Sequence, residues 1–294
     1  MRRIVLAALV AMLAAGPAGV ASANPPVKAL AGAASNAPAT SAEAVIARNV
    51  AARGGLDAWR KVDSMMWLGH LERGGNTAGP HVPFVMQLER PNRTRFEIKE
   101  QYNQFTRIFD GGHGWKVRPG TNGQPDMKSF SKEEVDFSRE EFAIDGPLID
   151  YRAKGVTAGL DGVEVLDGRK TYRLSLRLPS GAQRKLWIDA DTNLEVRYDR
   201  PATSPLAPGA PVSIYYGNYI TVDGLKIAGS LLTSSAPNAS ARQAGDRLVI
   251  DRIVLNPKLE AEAFLPPPTP MRRGGKVLIP SDGTPVGAMG RTSP

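Results

Sequence analysis

Apolar and polar residues alternate with a period of two through most of this chain. Val82, Phe84, Met86 and Leu88 share one parity. After Arg90-Pro91-Asn92, Thr94, Phe96 and Ile98 alternate with Arg93, Arg95, Glu97 and Lys99. Such a pattern predicts strands with one buried face. Polar residues 101–104 suit a turn, and Asp110-Gly111-Gly112 suits a second one before Trp115. The stretch from Arg90 to Trp115 therefore predicts a three-strand meander. Similar runs predict strands over 65–72, 82–89, 162–166, 172–178, 185–189, 194–198, 212–220, 225–232 and 248–255. Turns at Asp167-Gly168, Pro179-Ser180-Gly181, 189–193 and Asp223-Gly224 separate them. About eleven strands at this spacing predict an all-β barrel or sandwich.

Three stretches change period. Ser41 can cap a helix carrying Val45, Ile46 and Val50 on one side, and Arg53-Gly54-Gly55 ends it. Leu56 and Trp59 stand one turn apart in a further helical turn. That turn is too weakly basic for a membrane anchor, so Trp59 is expected in the core. Ser131-Lys132-Glu133-Glu134 has the spacing of a capping box, predicting a helix with Val135, Phe137 and Phe142. A break follows, then a short helix over 145–151 with Pro147 in its first turn. Glu133, Glu134, Glu140 and Glu141 read as a solvated helix face.

The ends of the chain differ from its middle. Arg2 and Arg3, an apolar run over 4–15 and Ala21-Ser22-Ala23 have the layout of a secretory signal peptide, expected to be cleaved after Ala23. Residues 24–40 are rich in Ala, Pro, Asn and Ser and read as a flexible leader; residues 266–294 read as a Pro/Gly-rich disordered tail. One domain over 41–265 lies between them, expected to be soluble in the periplasm and monomeric. Arg2 and Arg3 account for two of the formal +8 charges, so the mature chain carries +6. The basic residues are interleaved with acidic ones and form no aromatic-basic stripe, which speaks against nucleic acid. There is no cysteine, hence no disulfide and no thiolate metal site.

Arg90 breaks the alternation. It continues the parity of Phe84, Met86 and Leu88, so it either points to their apolar face, where a buried cation needs a partner, or leaves the strand into solvent. An apolar strand ending in Arg90-Pro91-Asn92, a further strand, then Asp110-Gly111, Trp115 and Pro119 resembles the periplasmic lipoprotein carrier family LolA and its LolB relatives. The strand around Tyr172, Leu174 and Leu176, then Trp187-Ile188-Asp189 and Asp191-Thr192-Asn193, is similar to those relatives too. The resemblance implies a mainly β (α+β) fold, an open antiparallel half-barrel with helices over its concave side. It implies that Arg90 hydrogen-bonds from the barrel to a helical lid, with acceptors around 145–150. It also implies an apolar cavity; strand parity places Phe84, Met86, Leu88, Phe96 and Ile98 on its wall, with Leu148 and Ile149 from the helical segment nearby.

Catalytic candidates are weak. His70, His81 and His113 show no metal-ligand spacing with one another or with carboxylates, so no metal is expected. Ser129-Phe130-Ser131-Lys132 matches Ser-x-x-Lys without its companion motifs, and Ser131 serves better as a helix cap. The stretch 189–193 imitates a calcium loop, but Leu194 and Arg200 occupy positions that need Gly and Glu. The expected function is a non-enzymatic carrier, without cofactor, of a lipid or an acylated lipoprotein between an inner-membrane donor and an outer-membrane acceptor. The alternative is an envelope ligand-sensing regulatory module of the same fold.

Overall fold

The computed structural model describes residues 40–267, except 76–78, 101–102, 121–124, 142–143, 202–210 and 236–244. The signal peptide, the leader up to residue 39, the tail from residue 268 and Phe142 lie outside the described residues.

Helix α1 (Ala42–Ala52) begins at Ser41, whose Oγ accepts from the Ala44 amide at 3.2 Å. It ends where Gly54 takes φ +111°, a conformation closed to a side chain here, because a Cβ would meet the Gly224 carbonyl at 2.6 Å. Helix α2 (Leu56–Arg60) follows, with Trp59 fully buried, as expected of a core residue.

Six antiparallel strands come next: β1 (Ser64–Glu72), β2 (Val82–Glu89), β3 (Arg93–Glu100), β4 (Asn103–Phe109), β5 (Gly114–Pro119) and β6 (Pro125–Ser129). The β2–β3 register pairs Phe84 with Ile98, Met86 with Phe96 and Leu88 with Thr94, so both strands present one apolar face. Helix α3 (Lys132–Arg139) and a run of turns over 144–155 then cross to the far side. There the chain resumes with β7 (Thr157–Leu166), β8 (Arg169–Arg177), β9 (Gln183–Asp189), β10 (Glu195–Pro201) and β11 (Pro211–Gly217). A small hairpin, β12 (Ile220–Val222) and β13 (Leu225–Ile227), precedes β14 (Ser230–Ser234) and β15 (Asp246–Leu255).

Thirteen strands form one antiparallel sheet in the order β6-β5-β4-β3-β2-β1-β15-β14-β11-β10-β9-β8-β7. The first strand pairs with the last at its centre, and β6 and β7 are its two ends, so the sheet is open. The crossover through α3 and 144–155 therefore has to run from one end of the sheet to the other.

The fold is mainly β, as the alternation predicts, with three local differences. The expected strands 212–220 and 225–232 are each broken: Asn218 takes φ +50°, and the Gly229 amide bonds back to the Gly217 and Asn218 carbonyls, each at 3.1 Å. Residues 125–129, polar and mostly exposed, pair as an end strand although they carry no apolar alternation. The main sheet has thirteen strands where about eleven were expected, and β12 and β13 pair in a separate two-stranded sheet. The expected helix over 145–151 is a series of turns, because Gly146 (φ +73°) and Asp150 (φ +51°) both leave helical space.

Two apolar clusters form the core. One gathers Trp59, Ile149 and Leu225 over Phe84, Met86, Leu88, Phe96 and Ile98. The other sets Val45 and Ile46 of α1 and Leu148 against Leu174, Leu176, Leu186 and Ile188.

Candidate functional site

The crossover is tied down through Asp145, which is buried. Its Oδ2 accepts from Arg90 Nη2 at 2.7 Å and its Oδ1 from Lys154 Nζ at 2.5 Å; its carbonyl accepts from Arg53 Nη1 at 2.8 Å. Lys154 also donates to the Gly146 carbonyl at 2.7 Å. Burial pulls the Lys154 amine below the ordinary lysine range, against the attraction of Asp145. Arg90 donates Nε to the Val62 carbonyl at 2.7 Å and Nη2 to the Trp59 carbonyl at 3.3 Å. One guanidinium thus joins the end of β2, the α2–β1 connection and the crossover, a task suited to its planar fork. Of the two readings of Arg90, the geometry is that of a partnered cation, not of a turn residue in solvent.

Beneath the crossover lies a cavity of about 130 Å³. Met86 of β2, Trp67 of β1, Leu248 of β15, Leu231 of β14, Ile214 of β11 and Leu186 of β9 supply apolar wall. Ile144, Gly146 and Pro147 of the crossover form its roof. Strands β2 and β9 stand six places apart in the sheet, which would separate them by about 29 Å if it were flat. Both line this one cavity, so the sheet is strongly curved and the crossover spans its mouth.

One part of the wall is polar. Arg53 Nη1 pairs with Glu195 Oε1 at 3.0 Å, and the Tyr219 hydroxyl donates to Glu195, whose Oε2 and carbonyl oxygen both lie at 3.0 Å. The Arg53 guanidinium also stacks 4.5 Å above the Trp59 ring. Arg53 Nε is buried without a hydrogen-bond partner among the described residues. Burial pushes the phenols of Tyr216 and Tyr219 well above their ordinary range, so both stay neutral. Glu140 lies 3.7 Å from Arg184, and burial raises the Glu141 carboxyl against the pull of Arg200 and Arg184.

The predicted cavity residues divide. Met86 lines the cavity. Phe84, Leu88, Phe96, Ile98 and Ile149 form one continuous apolar cluster beside it, and Leu148 belongs to the second cluster. Trp59 and Leu225 cover that part of the concave face, which moves the open space towards β9–β15. Arg53, Glu141, Glu195, Tyr198, Tyr216 and Tyr219 were not singled out from sequence as lining residues. Arg53 read only as a helix end, and no local pattern links it to Glu195.

Two other readings need correction. Of the glutamates of the α3 region, Glu133 is exposed as a solvated face requires, but Glu134, Glu140 and Glu141 are not. Glu134 is buried between Lys116 at 2.8 Å and Arg107 at 3.5 Å, while Glu140 and Glu141 line the cavity. His70 and His81, which spacing did not connect, come together with Glu72. His113 stays apart and exposed in its Gly turn. Ser131 acts as a cap, its Oγ accepting from the Glu134 amide at 3.3 Å while Glu134 Oε2 accepts from the Ser131 amide at 3.0 Å. Asp189 Oδ1 folds back on the Asp191 and Thr192 amides, which makes 189–193 a hairpin turn.

No protein-family model and no curated protein matches the chain. Among solved structures it is similar to a LolA superfamily protein from Nitrosomonas europaea, at 13% identity and a TM-score of 0.49, over 78% of this chain and 99% of that one. A DUF1329 family protein from Desulfovibrio piger is similar at 13% identity and a TM-score of 0.46, over 76% and 96%. A protein domain from Vibrio parahaemolyticus described as outer membrane lipoprotein-sorting is similar at 10% identity and a TM-score of 0.47, over 75% and 94%. The structural neighbours thus include the family that the Arg90-Pro91-Asn92 stretch resembles. No helix among the described residues is long and apolar enough to cross a membrane.

Proposed function

We propose that this chain is a carrier for acyl chains, of a lipid or of an acylated protein, acting in the cell envelope without covalent chemistry. The observation that carries this reading is the mostly apolar cavity between a curved sheet and a crossover tied down through Asp145. Each methylene buried there contributes about 0.8 kcal/mol, so a single acyl chain can be held tightly. In this state the cavity is small: about 130 Å³ is close to the roughly 150 Å³ apolar cavity that accepts one benzene. A whole chain enters only if the crossover lifts, which breaks the contacts of Asp145 with Arg90 and Arg53. Binding energy from the chain offsets that loss, so the closed and loaded states compete for the same space. Arg53, with an unpartnered Nε, offers a donor to an ester or carboxyl oxygen at the polar end of the cargo. Arg90 then acts as a lid contact and Met86 as part of the ligand surface; Phe84, Leu88, Phe96, Ile98, Leu148 and Ile149 become reachable when the crossover moves.

The test uses delipidated protein and fluorescent acyl chains, followed by donor and acceptor vesicles. A carrier takes up the chains stoichiometrically and delivers them to the acceptor. Saturable binding to a partner protein with no acyl uptake would instead favour a regulatory module and sink this proposal.

A further inference from the structure

A cluster on the face of β1 opposite the cavity has no part in the proposed carrier function. Leu71 faces the core, so His70 and Glu72 on either side of it face outward. His81, just before β2, lies against them, its ring stacked on that of His70 at 4.2 Å between centroids. Donor atoms of His70, Glu72 and His81 all lie within 4.8 Å of one another. We propose that these three side chains form a transition-metal site of the Zn²⁺ class.

A second observation supports it. The β1–β15 ladder slips between Leu68 and Gly69, leaving Asp251 as an extra residue in β15. A bulge of this kind re-aims a side chain, and the Asp251 carboxylate reaches His70 Nδ1 at 3.0 Å. A carboxylate only accepts, so Nδ1 is the donor in this contact, and in the neutral ring Nε2 is then the nitrogen with a lone pair to offer. His70 Nε2 faces Glu72 Oε1 at 4.0 Å, while Glu72 Oε2 faces Arg247 at 3.9 Å. An imidazole fixed by a carboxylate on one nitrogen and free to ligate with the other is the usual arrangement around zinc.

Two imidazoles and one carboxylate select Zn²⁺ or its neighbours over Ca²⁺ and Mg²⁺, which prefer all-oxygen sites. Bonds of about 2.0–2.1 Å in a tetrahedron need donors roughly 3.3 Å apart, so the side chains draw together when the ion binds. The fourth position is left to solvent. The bound ion would staple the segment before β2 to the end of β1.

The experiment is a calorimetric titration of Zn²⁺ into untagged, chelator-stripped mature chain, with Ca²⁺ and Mg²⁺ in parallel. One Zn²⁺ should bind per chain and raise the melting temperature, and the other two ions should do neither. His70→Ala and His81→Ala should each weaken Zn²⁺ by at least about tenfold, and Asp251→Asn by roughly 10–100-fold. His113→Ala should change nothing. Should a histidine variant melt early without metal, Glu72→Gln, which removes one ligand charge and little volume, should still weaken binding. Absence of Zn²⁺ binding overturns the site, as does binding unchanged in His70→Ala and His81→Ala or in Glu72→Gln.

Discussion

Asp145 draws in three cations, and this fixes what its neighbours are worth. Two of its partners meet the carboxylate and one meets the carbonyl. Asp145→Asn keeps the shape but removes the negative charge that Lys154 and Arg90 share. Losing one member of a buried pair costs about 3 kcal/mol, and a drop in melting temperature of roughly 6–12 °C should show it. Arg90 is 30% exposed, so solvent recovers part of its loss. Arg90→Leu should cost about 2 kcal/mol and leave the fold intact. Under the carrier proposal it also weakens the closed state, and acyl chains should be retained longer and transferred more slowly than in wild type. Equal retention and equal transfer would remove Arg90 from the gate. Parity offered the inward aim of Arg90 as one of two readings, and the contact with Asp145 decides between them. Asp145 was legible only as part of the stretch holding its acceptors, and Arg53 was not, since its partners Asp145 and Glu195 lie about a hundred residues or more away in the chain.

Helix α3 and the turns after it owe their place to the order of strands in the sheet. The chain must travel from β6 to β7, and its route over the concave face buries Ile144, Leu148 and Ile149. Glu134 anchors the start of that route. Burial works against its ionisation, but Lys116, the Ser131 amide and Arg107 outweigh it and hold the carboxyl below the ordinary glutamate range. Its stabilisation is therefore complete above about pH 4.5 and is lost as pH falls through the depressed folded-state value. Glu134→Gln should cost about 3 kcal/mol at pH 7, and the gap between variant and wild-type denaturation midpoints should close on acidification. A gap that stays constant below pH 4 would mean that the charge contributes nothing. The capping box was plain from Ser131 and Glu134 alone; the burial of Glu134 was not, because its cations sit on β4 and β5. Likewise, the breaks at Asn218 and Gly229 lie within runs whose apolar content reads as unbroken strand.

At the scale of the whole molecule, the sequence carried the strand faces but not their curvature. Phe84, Met86, Leu88, Phe96 and Ile98 do share a face, as the parity requires. Which part of that face stays open depends on where Trp59 and Leu225 land, and those contacts span long separations. The chain beyond Pro267 is rich in Pro and Gly, a composition expected to bury little apolar area. Truncation after Pro267 should thus leave the melting temperature within about 2 °C of wild type; a fall of many degrees would mean that the tail packs on the domain.

Under the proposed function, the cavity beneath the crossover takes an acyl chain. Native mass spectrometry of delipidated protein mixed with a long-chain fatty acid tests it most directly, with an Ala228→Phe variant that places a ring in the cavity wall. Wild-type protein should carry one acyl chain, saturating at unit stoichiometry, and Ala228→Phe little or none at an unchanged melting temperature. Equal loading of the two proteins, or no loading of either, would contradict it.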